Sequence, residues 1–68
     1  MSRFQIGDRV RLSDEAIRYG RFSRVPSTRQ GTVRIISGPD ETFWVRWDGR
    51  ISDQGFDEDY LELVERPR

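Results

Sequence analysis

Short runs along this chain alternate between apolar and polar residues, and the alternation locates its strands. Arg9-Val10-Arg11-Leu12 sets two apolar side chains on one face and two arginines on the other, as a half-buried β-strand does. Gly7-Asp8 just before it is a turn signal. From Ser13 to Gln30 no strand pattern appears, and a structureless stretch of that length in a compact domain is uncommon and usually functional. Part of it predicts a helical turn: Ser13 can cap, Asp14 and Glu15 suit the positive helix end, and Gly20 can stop it. Pro26 bars regular pairing in the remainder.

The second strand is predicted over GTVRIIS, with Val33 and Ile35 facing the same way, and SGPD after it reads as a turn. TFWVRWD is the third strand. Side chains alternate in a strand, so Phe43, Val45 and Trp47 form one apolar row, and Trp44, Arg46 and Asp48 form the other. The mostly polar row must face outward, which leaves Trp44 exposed beside Arg46. Asp48-Gly49 is a hairpin signal. RISDQGF supplies a short fourth strand with a bulge near Gly55, and DEDYLELV an acidic turn followed by a fifth strand bearing Leu61 and Leu63. Residues 65–68, ERPR, are expected to fray as a tail.

Five short strands, one long loop after the first and tight turns afterwards predict an all-β chain curled into a small closed barrel, a form that removes aggregation-prone edges. Val10, Leu12, Val33, Ile35, Phe43, Val45, Trp47, Phe56, Leu61 and Leu63 are its expected core. Sixty-eight residues allow one domain spanning 1–68, and a domain of that size buries only about 60% of the surface of its unfolded chain.

Composition narrows the chemistry. Cysteine is absent, which removes disulfides and thiolate metal sites, and no apolar run approaches the ~18 residues of a membrane span, so a cytoplasmic location is expected. Net charge is zero, yet residues 1–34 carry eight arginines against three acids, and residues 35–68 carry four against nine. The two halves either neutralise each other in one compact unit or present a basic face beside an acidic one. Every basic residue is arginine, whose planar fork suits carboxylate, phosphate and aromatic partners.

The segments IGDRVRL, GTVRII, FWVRWDGR and DYLELV together resemble the SH3-like barrels, in particular short bacterial and phage-encoded members with G-D-R-V-R-L, G-T-V, W-D-G-R and Y-L-E motifs. The resemblance spans most of the chain outside residues 13–30 and implies a five-stranded barrel. That fold hosts many unrelated activities. Gly55-Phe56 and Tyr60 are similar to the closing segment of SH3 peptide binders, and Trp44 to their groove tryptophan, which implies a peptide groove between aromatics. Asp57 and Asp59 stand where those modules carry proline and asparagine. GDRVRL with GTVRII is also similar to KOW-type barrels, which bind RNA or polymerase. Arg18, Tyr19, Arg21, Phe22, Arg24 and Arg29 would then neutralise phosphates and stack on bases of RNA or single-stranded DNA. A remoter similarity, in FQIGDRVR and LELV, is to type II dihydrofolate reductases; of their pore motif only Gln54 is present.

Catalytic chemistry is sparse. Without histidine, cysteine or lysine the chain lacks the usual general base, the strongest nucleophile and the Schiff-base amine. The acids Asp53, Asp57, Glu58, Asp59 and Glu62 do not follow a calcium-loop order. The expectation is therefore a non-enzymatic binding module, with no cofactor and no metal. Its partner is a protein or peptide, met by Trp44, Arg46, Tyr60, Asp57 and Asp59, the types enriched at interface hot spots being tryptophan, tyrosine and arginine. Nucleic acid is the alternative partner, membrane binding is not expected, and the chain is a monomer or small homo-oligomer.

Overall fold

The computed structural model describes residues 3–19, 25–26 and 28–67. Five strands occur in chain order: β1 (Arg9–Leu12), β2 (Gln30–Ser37), β3 (Thr42–Trp47), β4 (Asp53–Phe56) and β5 (Leu61–Glu65). All neighbours pair antiparallel in one sheet ordered β4-β3-β2-β1-β5. Side chains from all five meet in a single cluster, so the sheet curls around one core. The end strands β4 and β5 do not pair, so the continuous ladder of a closed barrel is not formed among the described residues. A 3-10 turn, Glu58–Tyr60, bridges them instead.

The stretch after β1 contains the expected helical turn, α1 (Asp14–Tyr19), with both acids in its first turn. The Ser13 hydroxyl accepts from the Ala16 N–H at 3.3 Å and donates to the Asp59 carbonyl at 2.7 Å. The Ser13 N–H donates to the Tyr60 carbonyl at 3.0 Å. One serine thus caps α1 and ties it to the 3-10 turn. Gly20, the expected stop, lies outside the described residues. No described helix is long and apolar enough to cross a membrane.

The β3 row divides as its alternation requires. Phe43, Val45 and Trp47 are buried, with Trp47 at 2% exposure, and Trp44 faces out at 37%. Trp47 meets Phe56 edge-to-face with ring centroids 5.5 Å apart. The indole fits because β2 carries no side chain at Gly31. A Cβ there would stand 2.7 Å from Val45 Cγ1, 2.8 Å from the Arg46 carbonyl and 2.9 Å from Trp47 Cε3.

Two expected core residues are not buried. Val33 pairs with Val45 but Ile35 pairs with Trp44, so Arg34 is the extra residue of a bulge. Beyond the bulge the faces exchange: Ile35 turns outward at 50% exposure, and Ile36 packs on the core in its place. Leu63 lies opposite Val10 yet remains 42% exposed, because it sits on an edge strand with no described strand beyond it. Phe4, Ala16 and Val25 complete the core instead, Phe4 meeting Phe43 edge-to-face at 5.2 Å.

The chain ends are clasped together. Asp8 is 1% exposed, accepts from the Gln5 N–H at 2.8 Å and takes Arg66 Nη2 at 3.0 Å and Nε at 3.2 Å. Glu65 pairs with Arg9 in the ladder. The expected tail is therefore held in place through Arg66, and Arg68 lies outside the described residues. Burial alone would push the Asp8 carboxyl up, but the bonds from Arg66 and Gln5 outweigh it and hold the group below its ordinary value.

Two outcomes follow from this packing. Gly31→Ala should destabilise the domain by about 1–3 kcal/mol in urea unfolding, because backbone and core side chains crowd the new methyl. Gly38→Ala, at φ +79° in open space, should lose only the left-handed backbone cost of about 1–2 kcal/mol. A depressed carboxyl stabilises the fold above the unfolded pKa and ceases to do so as pH falls through the folded one. The urea midpoint should therefore drop on acidification below about pH 4, and Arg66→Gln should make that drop shallower.

Candidate functional site

The outward row of β3 builds the site. Trp44 pairs across the ladder with Gly55 of β4, and a Cβ at Gly55 would stand 3.4 Å from the indole's Cζ3 and Cη2 atoms. The ring therefore lies over a backbone that offers no side chain to displace it. Its Nε1–H donates to Ser37 Oγ at 2.9 Å, which fixes the outer edge. Beside it is a groove of about 410 Å³ lined by Thr42, Trp44, Gly55, Phe56, Asp57 and Tyr60. Tyr60 ends the 3-10 turn, packs its ring on the core, and is placed by its N–H bond to the Asp57 carbonyl at 3.0 Å.

Three of the five residues expected to meet a partner, Trp44, Asp57 and Tyr60, thus share one groove. The other two lie outside its lining. Arg46 Nε donates to Asp53 at 2.9 Å, Arg34 approaches the same carboxylate at 4.0 Å, and Arg46 lines a separate groove with Ile6, Arg34 and Arg50. Asp59 is exposed and stands 4.0 Å from Arg3.

The residues expected to meet nucleic acid do not form one described surface. Arg18 and Tyr19 are exposed on α1. Arg29 is half-buried and lines a cavity with Trp47, Arg50 and Gln54. Arg21, Phe22 and Arg24 lie outside the described residues. Among the described residues no three acidic side chains converge to hold a metal ion.

Ion pairs between segments distant in sequence lie outside the groove's lining. Arg9 forks onto Asp48, Nη1 reaching Oδ1 at 2.9 Å, and the same Nη1 donates to Thr32 Oγ1 at 2.8 Å. Hydrogen bonding to Arg9 holds the Asp48 carboxyl below its ordinary range. Arg11 Nε donates to Glu62 at 3.1 Å. Thr42 and Ser37 were not singled out by the pattern of residues, and Gly55, expected at a bulge, instead pairs in regular register with Trp44. What brings them together is the register of β2, β3 and β4, which strand periodicity alone does not contain.

Comparison with protein-family models, with curated proteins and with solved structures finds no match to the chain.

The two indoles should report separately on their surroundings. In Trp44→Phe the remaining emission, from Trp47, should be blue-shifted and nearly resistant to acrylamide quenching. The unmodified protein should show an additional, readily quenched component from Trp44. Ready quenching in Trp44→Phe would place the wrong indole in the core.

Proposed function

We propose that the chain is an SH3-like barrel acting as a non-enzymatic binding module, and that its Trp44 groove takes a protein or peptide segment. The observation that carries this reading is the seating of Trp44 across Gly55, with Tyr60 and Asp57 lining the same groove. Sheet order and the 3-10 turn before the last strand are in keeping with the resemblance in the motifs. An indole already held by Ser37 loses little freedom when a ligand covers it, so more of the contact energy remains as affinity. Aromatic side chains at the rim of a groove are the anchors around which hot spots form.

The wall chemistry indicates what kind of segment fits. Asp57 stands where proline-peptide binders carry a proline, so the groove presents a carboxylate beside its aromatic surface. A segment with an apolar side chain for Trp44 and Tyr60, followed by a cation for Asp57, matches both.

An amide chemical-shift titration with a peptide library, followed by single-stranded oligonucleotides, tests the reading. Peptide-induced shifts should centre on Thr42, Trp44, Gly55, Phe56 and Tyr60. Trp44→Ala should weaken binding by about 2 kcal/mol while leaving the melting temperature nearly unchanged. A large loss of stability would assign Trp44 to packing, and shifts confined to α1 and Arg29 with oligonucleotides would move the function to nucleic acid.

A further inference from the structure

The outward face of β2, β3 and β4 is ordered in levels along the strands. At one end Thr42 pairs with Ser37, and the exposed Asp57, which follows β4, lines the Trp44 groove together with Thr42. At the next outward position Trp44 stands between Ile35 and Gly55. At the one after it Arg46 stands between Thr32 and Asp53. Alternate residues of a strand are about 6.6–6.8 Å apart, so the acidic and basic ends of this face are separated by about 13 Å.

The bulge in β2 produces this order. Thr32 pairs with Arg46, so an unbroken ladder would set Arg34 opposite Trp44 and turn Ile35 inward. With the extra residue inserted, the exposed Ile35 stands opposite Trp44 and widens the apolar middle. Arg34 instead approaches the carboxylate of Asp53 and lines a groove of about 560 Å³ with Thr32 and Arg46. Bulges re-aim side chains in this way at the expense of ladder pairing.

The basic level carries more positive charge than its own acids neutralise. Arg46 Nε donates to Asp53 at 2.9 Å, whereas Arg34 comes only within 4.0 Å of the same carboxylate, beyond hydrogen-bond length. Two guanidiniums thus share one acid, and Asp48, which lines the same groove, is taken by Arg9. Asp53 is the recessed member, its side chain 20% exposed against 47% for Arg34 and 39% for Arg46.

We propose that the partner segment crosses this whole face in extended form, and that Arg34 and Arg46 take a carboxylate beyond its apolar anchor. The inference rests on the Trp44 groove as the peptide site and adds the chemistry of the segment's far end. An extended chain repeats its side-chain direction at the same spacing as the levels. A cation, an apolar residue and an acid at alternate positions therefore fall on Asp57, on Trp44 with Ile35, and on the two guanidiniums. The reverse order sets like charges together at both ends and is rejected. The donors of Arg34 have no hydrogen-bond partner among the described residues, so its fork is open to the incoming carboxylate.

Two capped synthetic peptides are the probes. One has arginine, leucine and glutamate at alternate positions between threonines, and the other has glutamine for the glutamate. Each is titrated at low salt into the labelled protein while the Trp44 indole N–H and the Nε–H resonances of Arg34 and Arg46 are followed. The glutamate peptide should bind about fivefold more tightly, shift both arginine resonances, and lose its advantage in high salt. Arg34→Gln, at an exposed position, should reduce that advantage and leave the affinity of the glutamine peptide unchanged. Equal affinities for the unmodified protein, or an advantage undiminished in Arg34→Gln, would overturn this inference and leave the groove reading standing. No saturable shift of the Trp44 indole with either peptide would overturn both. A single-stranded oligonucleotide that engages the two arginines more tightly than the glutamate peptide would overturn the inference by assigning the basic level to nucleic acid.

Discussion

Trp47 reaches the core because β2 has no side chain at Gly31, and much of the molecule is arranged around that vacancy. A Cβ at this point would collide with the backbone of β3 as well as with two core side chains, so the indole and the glycine determine each other. With Trp47 inward, strand geometry sends Trp44 outward, since residues three apart in a regular strand lie on opposite faces. The inward row then seats Phe43 against Phe4 and Trp47 against Phe56, two edge-to-face contacts that join the segment before β1 to β3 and β3 to β4. One missing side chain thus decides which face of the sheet is core and which is available for contact.

The opposite charges of the two halves have a structural outcome. Arg9, Arg11, Arg34 and Arg3 come from the basic half and meet Asp48, Glu62, Asp53 and Asp59 from the acidic half. Among the described residues the halves therefore meet in opposite-charge pairs. Exposed pairs of this kind contribute about 0–1 kcal/mol each, so their effect lies more in favouring one register than in holding the fold together. Asp8 differs because it is buried. Removing Arg66 would strand a carboxylate away from water, and it is this asymmetry that makes the clasp between the chain ends consequential.

How much could be read from residues alone depended on how local the cause was. β1 and β3 alternate strictly, and their faces were legible for that reason. β2 was legible only as far as Val33: a bulge at Arg34 reverses the faces beyond it, and a period-two reading places Ile35 where Ile36 belongs. Leu63 alternates correctly but sits on an edge strand, and edges are a property of strand order rather than of sequence period. Phe4 and Asp8 lie before the first periodic run, in a turn, so no pattern marked them as buried. In the candidate site Trp44 was legible as the outward tryptophan. Its seat on Gly55 and its bond to Ser37 were not, because both depend on pairings between strands.

The same pairings bear on why an outward tryptophan persists in so small a domain. A half-exposed indole on a free surface costs solubility and adds little to a core. Here its Nε1–H has a partner, its face rests on a glycine, and no described residue of α1 lines its groove, so it is placed without being covered. A side chain at position 55 would not fit beneath it, since its Cβ would stand 2.9 Å from Thr42 Cγ2 and 3.4 Å from the indole. Glycine at that position gives up stability in β4 and leaves the ring lying flat, with the groove beside it open. On the proposed reading this is the arrangement a binding surface requires: an aromatic plane fixed before the ligand arrives, next to a tyrosine and a single carboxylate that orient what lands on it.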